Sequence, residues 1–331
     1  KGNSEGQLVL IDDQLVFVVT GADVDPLLQE DVKAAAAKAA RQLEQIIAET
    51  REARDLRAML KALGVAAVAS LVFAALAGIV AIVAIKGMSS LSLEMILETP
   101  KGGYYLGKGG GIANAIVGSV YLVTGATILA LLISLPVALA LQKEYLNKRL
   151  AIVTRLVLDV LWGTPSIVYG AFGFVVMVFL GMRASLLGGI IVLTLLMIPI
   201  MTRAMDEAIR LVPFELKEMA YAMGTTKLET TLSVVLKQAF PGICTAVILA
   251  FGRGIGDAAS ILFTAGYTDE IPRSLFDPVA SLPLAVFFQI GTPVPEVQAK
   301  AYTAALILLF IVVLVNVIAR VLGWKFSKNI V

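Results

Sequence analysis

The chain has 331 residues, of which 58% are hydrophobic and only 16% charged, with a net charge of +2. Soluble domains average about 45–50% apolar and about 25% charged, so this composition belongs to the membrane class, and the small net charge argues against a nucleic-acid partner. Histidine is absent, which removes Ser–His triads and His metal sites, and the one cysteine, Cys244, can form neither an internal disulfide nor a zinc site.

Residues 1–60 are polar and form one predicted region. Lys1 opens it without a start methionine or a recognisable signal peptide, which predicts a fragment or a processed product. Gln7–Ile11 and Gln14–Val19 alternate as two short strands around an Asp12-Asp13 turn. Asp25-Pro26 then combines an N-cap with a proline at the first helical position. Leu27, Leu28, Val32, Leu43, Ile46 and Ile47 recur near helical spacing through about Leu60. A small hairpin and an amphipathic helix are expected here, with too few residues for a large core.

Residues 61–331 form the second predicted region, an all-α membrane domain. A span needs about 20 apolar residues. Six runs qualify, roughly Leu63–Ile85, Ile112–Leu141, Ser166–Met182, Leu186–Met201, Ile243–Gly266 and Tyr302–Leu322. An amphipathic stretch, Leu150–Trp162, precedes the third and ends at Gly163-Thr164-Pro165, where proline starts or kinks a helix. Lys and Arg concentrate before the first run, after the second, between the fourth and fifth, and after the sixth. With six spans these fall on one side, so the positive-inside rule places both termini and the Glu218 region in the cytoplasm. Gly107–Gly111 and Tyr267–Ala301 become outer connections, the second rich in proline. The glycine loop lacks the order of a phosphate-cradling P-loop, so any ATP would be hydrolysed by another subunit, and no cofactor is expected on this chain.

Arg253 lies within the fifth run, where a charge costs about 2.5–3.5 kcal/mol on insertion scales. Asp257 follows four residues on, so one helical face could carry both, and Gly252, Gly254 and Gly256 strip bulk from that turn. Two readings stand: a substrate pathway for an oxyanion, which arginine's planar fork suits, or an ion pair that locks helices. Arg203, at the end of the fourth run, has two candidate partners, Asp206 and Glu207, and reads equally as a membrane anchor. Asp159, Ser166 and Tyr169 flank the Pro165 break and are expected to satisfy backbone or neighbouring helices. No nucleophile–base pair or metal cluster is visible, so no catalytic role is assigned.

Glu218-Met-Ala-Tyr-Ala-Met-Gly224, followed by Val234-Val-Leu-Lys237, is a polar helix, a glycine turn and an apolar helix between membrane runs. Its spacing is similar to the cytoplasmic coupling loop of ABC-importer permeases, E-A-A, three residues, G, nine residues, I-x-L-P. Glu218, Ala220, Gly224 and Leu236 match in identity. Met219 replaces the first Ala, Val234 replaces Ile and Lys237 replaces Pro.

Four further segments resemble one family. Gly110-Gly-Ile-Ala-Asn-Ala-Ile-Val-Gly118, Leu158–Gly170, Ile198–Pro213 and Gly252–Gly266 resemble the signatures of the A-type permease subunits of phosphate importers, the PstA family, and the likeness runs from about Ala66 to Lys328. The resemblance implies a six-helix inner-membrane permease without its own ATPase site. It implies as partners a second related permease, two ATP-binding-cassette ATPases and an extracytoplasmic phosphate-binding protein. Arg203, Asp206, Arg253 and Asp257 stand at the family's functional Arg and Glu positions, with Asp at both Glu positions, and Ser260 replaces the family's Pro. The alternatives are a permease for sulfate, molybdate or phosphonate, and a gated channel. The channel reading comes from Leu8–Phe17 and the helix through Arg54-Asp-Leu-Arg, which weakly resemble the region preceding the spans of some mechanosensitive-channel-like proteins.

Overall fold

The structure, a computed structural model, describes residues 6–11, 14–20, 22–23 and 31–327. Its contacts divide the chain into two units, Lys1–Ile79 and Val80–Val331.

In the first unit, β1 (Gln7–Ile11) pairs antiparallel with β2 (Gln14–Val19), with an irregularity between Val9 and Leu10. Val9 and Val19 bury against Ala36, and Val32, Ala35, Ala40 and Leu43 pack around that small cluster. The last five belong to α1 (Val32–Ser89), whose upper part, Ala58–Ser89, is apolar enough to cross a membrane. Leu71 and Phe73 there are exposed, as a span coated by hydrocarbon requires. α1 passes through Lys61, where composition changes, without a break. The Asp12-Asp13 turn and the Asp25-Pro26 helix start lie outside the described residues.

The second unit is built on α3 (Ala113–Ala140), α6 (Leu186–Arg210) and α9 (Leu236–Ile255), which pack together. α6 is the central helix: Met197, Met201, Met205 and Ile209 are completely buried. Lipid tails are as apolar as these side chains, so van der Waals packing rather than the hydrophobic effect holds such helices together. Small residues permit the approach. At Gly118 on α3, an added Cβ would stand 2.0 Å from the carbonyl oxygen of Ala280. α4 (Lys148–Gly163) and α5 (Ser166–Phe179) lie on α6, while α11 (Pro295–Ser327) lies on α9. α10 (Leu282–Ile290) fits between α11 and α3. With α2 (Leu93–Leu97) and a short turn of helix at Tyr104–Leu106, it closes one end of the unit over Met95, Tyr104, Ile112 and Leu282.

Three sequence expectations change. The third run is not a straight span: α4 and α5 meet at 97° across Thr164-Pro165, because proline lacks the N–H to continue α4 and forces Thr164 into extended backbone. Five helices are long and apolar enough to cross a membrane among the described residues, and six if the bent pair counts as one. The fifth run is displaced. Its helix begins far earlier, at Lys227, and stops at Ile255 rather than continuing to Gly266. Thr226 and Glu229 form a capping box that starts α8 (Lys227–Thr230), and a π turn, Thr231–Val235, joins α8 to α9. At the other end Gly256 ends the helix and the Asp257 carboxylate accepts from Ala259 and Ser260 N–H, drawing the backbone into a turn. Finally, Tyr267–Ala301 is not only a connection, since it contains α10, whose Leu282, Pro283, Leu284, Ala285 and Gln289 are buried.

Candidate functional site

Two clusters and a loop hold the residues singled out by the sequence. The first lies where α4 crosses α6. Asn147 caps α4, accepting from Leu150 N–H, and the helical register then sets Arg155 and Asp159 on one face, four residues apart. On α6, Arg203 and Asp206 are three apart. Arg155 grips Asp206 with two prongs, Nε to Oδ2 at 2.7 Å and Nη2 to Oδ1 at 3.0 Å. Nη2 also donates to the Leu141 carbonyl at 3.0 Å, and Gln142 Nε2 donates to Asp206 Oδ1 at 3.1 Å. Arg203 donates Nε to Asp159 Oδ1 at 2.7 Å and reaches Asp206 Oδ2 with Nη1 at 3.5 Å.

The result is an alternating chain, Asp159–Arg203–Asp206–Arg155, with no net charge. Asp206 is 0% exposed. A carboxylate so placed is tolerable only because a bidentate guanidinium and an amide satisfy it. Glu207, the second partner expected for Arg203, is not used. Arg155 lies in the Lys/Arg-rich stretch after the second run and Asp159 is expected only to satisfy backbone or neighbouring helices, so the sequence assigns neither to the site. Their i, i+4 spacing on an amphipathic helix was the available signal.

The second cluster surrounds the end of α9. Arg253 sits in its last turn, exposed, with no hydrogen bond or ion pair to the described residues. The expected single helical face shared with Asp257 does not form, because α9 ends between them. Asp257 is buried. Its Oδ1 accepts from Ala259 N–H at 2.9 Å and Ser260 N–H at 3.3 Å, and its Oδ2 has no partner among the described residues. Ser260 Oγ beside it is likewise buried and without a partner among the described residues. Buried polar atoms normally find partners, so the turn that follows α9 keeps unused hydrogen-bonding capacity four to seven residues after the unpaired Arg253.

The loop is a helix–turn–helix. α7 (Phe214–Ala222) holds Glu218 exposed and Ala220 buried. Gly224 turns the chain at φ +85°, a left-handed conformation that glycine adopts without a Cβ penalty. Thr225 Oγ1 donates to the Ala220 carbonyl at 2.8 Å and its hydroxyl pairs with that of Thr230 at 2.8 Å, so the turn is fixed. Val234 and Leu236, half-buried, lie in the π turn and the first residue of α9. They are therefore part of the same run of helix that carries Arg253 in its last turn and ends at Ile255. The segment between α3 and α4 braces the turn. Glu144 accepts from Lys217 Nζ at 3.0 Å, Lys227 Nζ reaches the Glu144 carbonyl at 3.2 Å, and Tyr145 Oη donates to the Lys227 carbonyl at 3.0 Å. Burial pushes the Glu144 carboxyl up, but the bonded Lys217 ammonium and nearby Lys143 outweigh it and hold it below the ordinary glutamate range. Met219, Met223, Phe214 and Leu228 present apolar side chains outward from this braced knob, an exposed set of the kind that marks interaction surfaces. Among the described residues no three His, Cys, Asp or Glu side chains gather to hold a metal ion.

Residues 130–328 match the family described as binding-protein-dependent transport system inner membrane component. The chain is 35% identical over 241 residues to the phosphate transport system permease protein PstA of Yersinia pestis, covering 72% of this chain and 81% of that one. It is 35% identical over 222 residues to PstA 1 of Mycobacterium tuberculosis strain H37Rv, covering 66% and 72%. It is 32% identical over 264 residues to the probable ABC transporter permease protein YqgI of Bacillus subtilis, covering 74% and 87%. Among solved structures, an inward-facing form of the MetNI methionine ABC transporter superposes with a TM-score of 0.55 at 18% identity, over 65% of this chain and 95% of that one. This last likeness concerns the fold.

Proposed function

Because the chain belongs to the binding-protein-dependent transport system inner membrane components, we propose that it is the membrane-spanning permease subunit of an ATP-driven importer of inorganic phosphate. It is a multi-pass inner-membrane protein and a transport component. Its partners in this reading are a second related permease, two ATPase subunits that bind and hydrolyse ATP, and an extracytoplasmic phosphate-binding protein. The Lys/Arg bias supports cytoplasmic termini and a cytoplasmic Glu218 loop.

One observation carries the mechanism: helix continues from Lys227 to Ile255, 29 residues. At 1.5 Å per residue it is about 43 Å long, more than the hydrocarbon thickness of about 30 Å. The docking knob is at one end and Arg253 is at the other. Closure of the ATPase dimer moves the knob as a rigid body, since Thr225, Glu144 and Tyr145 leave its turn little freedom. The rod carries that displacement across the bilayer to Arg253 and changes which side the guanidinium faces, which is alternating access driven by a rigid element. Arg253 donates two parallel hydrogen bonds to the phosphate and stays charged. Asp257, fixed by the turn beyond α9, sets a negative potential beside it that keeps binding reversible. Arg203 and Asp206 serve the same path farther along α6, exchanging partners within their network as the anion passes. Glu218, Ala220, Gly224, Val234 and Leu236 form the grip for the ATPase.

The test is reconstitution of the complete assembly in vesicles. Phosphate-loaded binding protein should stimulate ATP hydrolysis and drive uptake of labelled phosphate that excess sulfate or molybdate leaves unchanged. Ion current through the purified chain alone, without ATP or partners, would overturn the reading in favour of a channel.

A further inference from the structure

A cavity of about 580 Å³ opens beside the first cluster, between the α3–α4 connection, the end of α6 and the start of α7. Its lining includes Gln142, Lys143, Glu144, Arg155, Arg210 and Lys217. Four of these six are cations and one is a carboxylate. That carboxylate, Glu144, is already bonded to Lys217. Arg155 is bonded to Asp206 through Nε and Nη2, which leaves Nη1 without a hydrogen bond to the described residues. Lys143 and Arg210 are exposed and carry no ion pair there. The cavity thus holds an excess of positive charge on the side of the Glu218 loop, with guanidinium and ammonium donors on Arg155, Arg210 and Lys143 that are not consumed by the described residues.

We infer that this cavity binds a phosphate group from the side of the docking loop and thereby controls transport. The inference rests on the cytoplasmic placement of that loop in the proposed function, but not on phosphate being the cargo. Lys143 and Arg210 attract the anion, and Arg155 donates to it from Nη1, the free nitrogen of its fork. Charge-assisted hydrogen bonds to oxyanions are the strong ones, and arginine makes them directionally. An anion there draws on the same guanidinium that holds Asp206, so it shifts the balance of the Asp159–Arg203–Asp206–Arg155 chain. It also lies against Lys217 on α7, the first helix of the knob. Occupation therefore couples the two regions that must move relative to each other, and it slows the cycle by holding them. Two sources share this chemistry: inorganic phosphate that has accumulated in the cytosol, or the headgroup of an anionic lipid, which basic pockets between helices also take.

The experiment uses the full assembly with its partner subunits in nanodiscs of phosphatidylcholine, with and without phosphatidylglycerol. Inorganic phosphate binding is measured by equilibrium dialysis without the binding protein, and retained lipid by native mass spectrometry. The double variant Lys143→Gln/Arg210→Gln is compared with wild type after co-elution of all subunits verifies that it assembles. A further variant, Arg253→Gln, removes the path arginine alone. Phosphate binding retained in Arg253→Gln but weakened at least tenfold in the double variant supports the cytosolic-phosphate arm. Phosphatidylglycerol retained by wild type, lost from the double variant and displacing phosphate supports the headgroup arm. Binding of neither, or equal binding by wild type and double variant, overturns the inference. Absence of phosphate uptake by an assembly that still binds phosphate in the cavity would count against the proposed cargo and leave the inference standing.

Discussion

The two arginine clusters differ in how their charge is used. At the α4–α6 crossing, two arginines and two aspartates neutralise one another over distances of 2.7–3.5 Å, and the buried member, Asp206, accepts from Arg155, Arg203 and Gln142. At the end of α9, Arg253 is exposed and unpaired among the described residues, and Asp257 is turned away to cap the following backbone. Charge of the same type, at similar spacing in sequence, does opposite physical work. A satisfied network fixes the angle between helices, whereas an unsatisfied one remains available for a ligand or a partner chain.

The largest expected effect breaks this contrast at its satisfied end. Asp206→Ala leaves two guanidinium groups without their shared carboxylate. Removing one partner of a buried ion pair costs about 3–5 kcal/mol. Loss of the folded, co-eluting assembly in detergent measures it, and a variant as heat-resistant as wild type would show that the network contributes little. Arg253→Gln tests the other end. Exposed positions change stability by about 0.5 kcal/mol or less, whereas a hydrogen bond to a charged group contributes about 1.5–3 kcal/mol. Phosphate uptake should therefore fall roughly 10- to 100-fold with an unchanged melting temperature. A melting temperature that falls as steeply as uptake would make Arg253 structural and erase the contrast.

Gly224→Ala sharpens the comparison by acting on the rod's driven end. The left-handed backbone costs a non-glycine residue about 1–2 kcal/mol, so the turn should relax and ATP hydrolysis should uncouple from phosphate uptake. Coupling ratios measured in the same vesicles would reveal it, and an unaltered ratio would mean the turn geometry is dispensable. The smallest effect is pH-dependent. The folded state holds Glu144 below its ordinary range, so its contribution is present at neutral pH and is lost as pH falls below that range. Thermal melting of wild type and Glu144→Gln should differ near pH 7 and converge on acidification. A gap that widens in acid would reverse the assigned direction.

Much of this was legible in the residues. Hydrophobic runs and the Lys/Arg bias identified a polytopic all-α chain, because a bilayer imposes length and satisfaction of every backbone group on any segment that crosses it. The spacing from Glu218 to Leu236 located the knob, and local motifs such as the Thr226–Glu229 capping box and the Gly224 turn are encoded within a few residues. The strands Gln7–Ile11 and Gln14–Val19 followed their alternation and coincide with β1 and β2.

What escaped the sequence was every relation between distant segments. Counting apolar runs places the fifth span at Ile243–Gly266. It could not register that the polar stretch from Lys227 stays helical or that Asp257 would spend its carboxylate on Ala259 and Ser260. Arg203 had two acidic neighbours within four residues, yet its shortest bond is to Asp159, 44 residues away. Asp206 is held chiefly by Arg155, 51 residues away. One-dimensional patterns report which side of a helix is apolar, and so determine that these helices exist and cross the bilayer. Only packing decides which helix stands opposite, and a charge in a low-dielectric interior pairs with whichever partner that packing brings within hydrogen-bond reach.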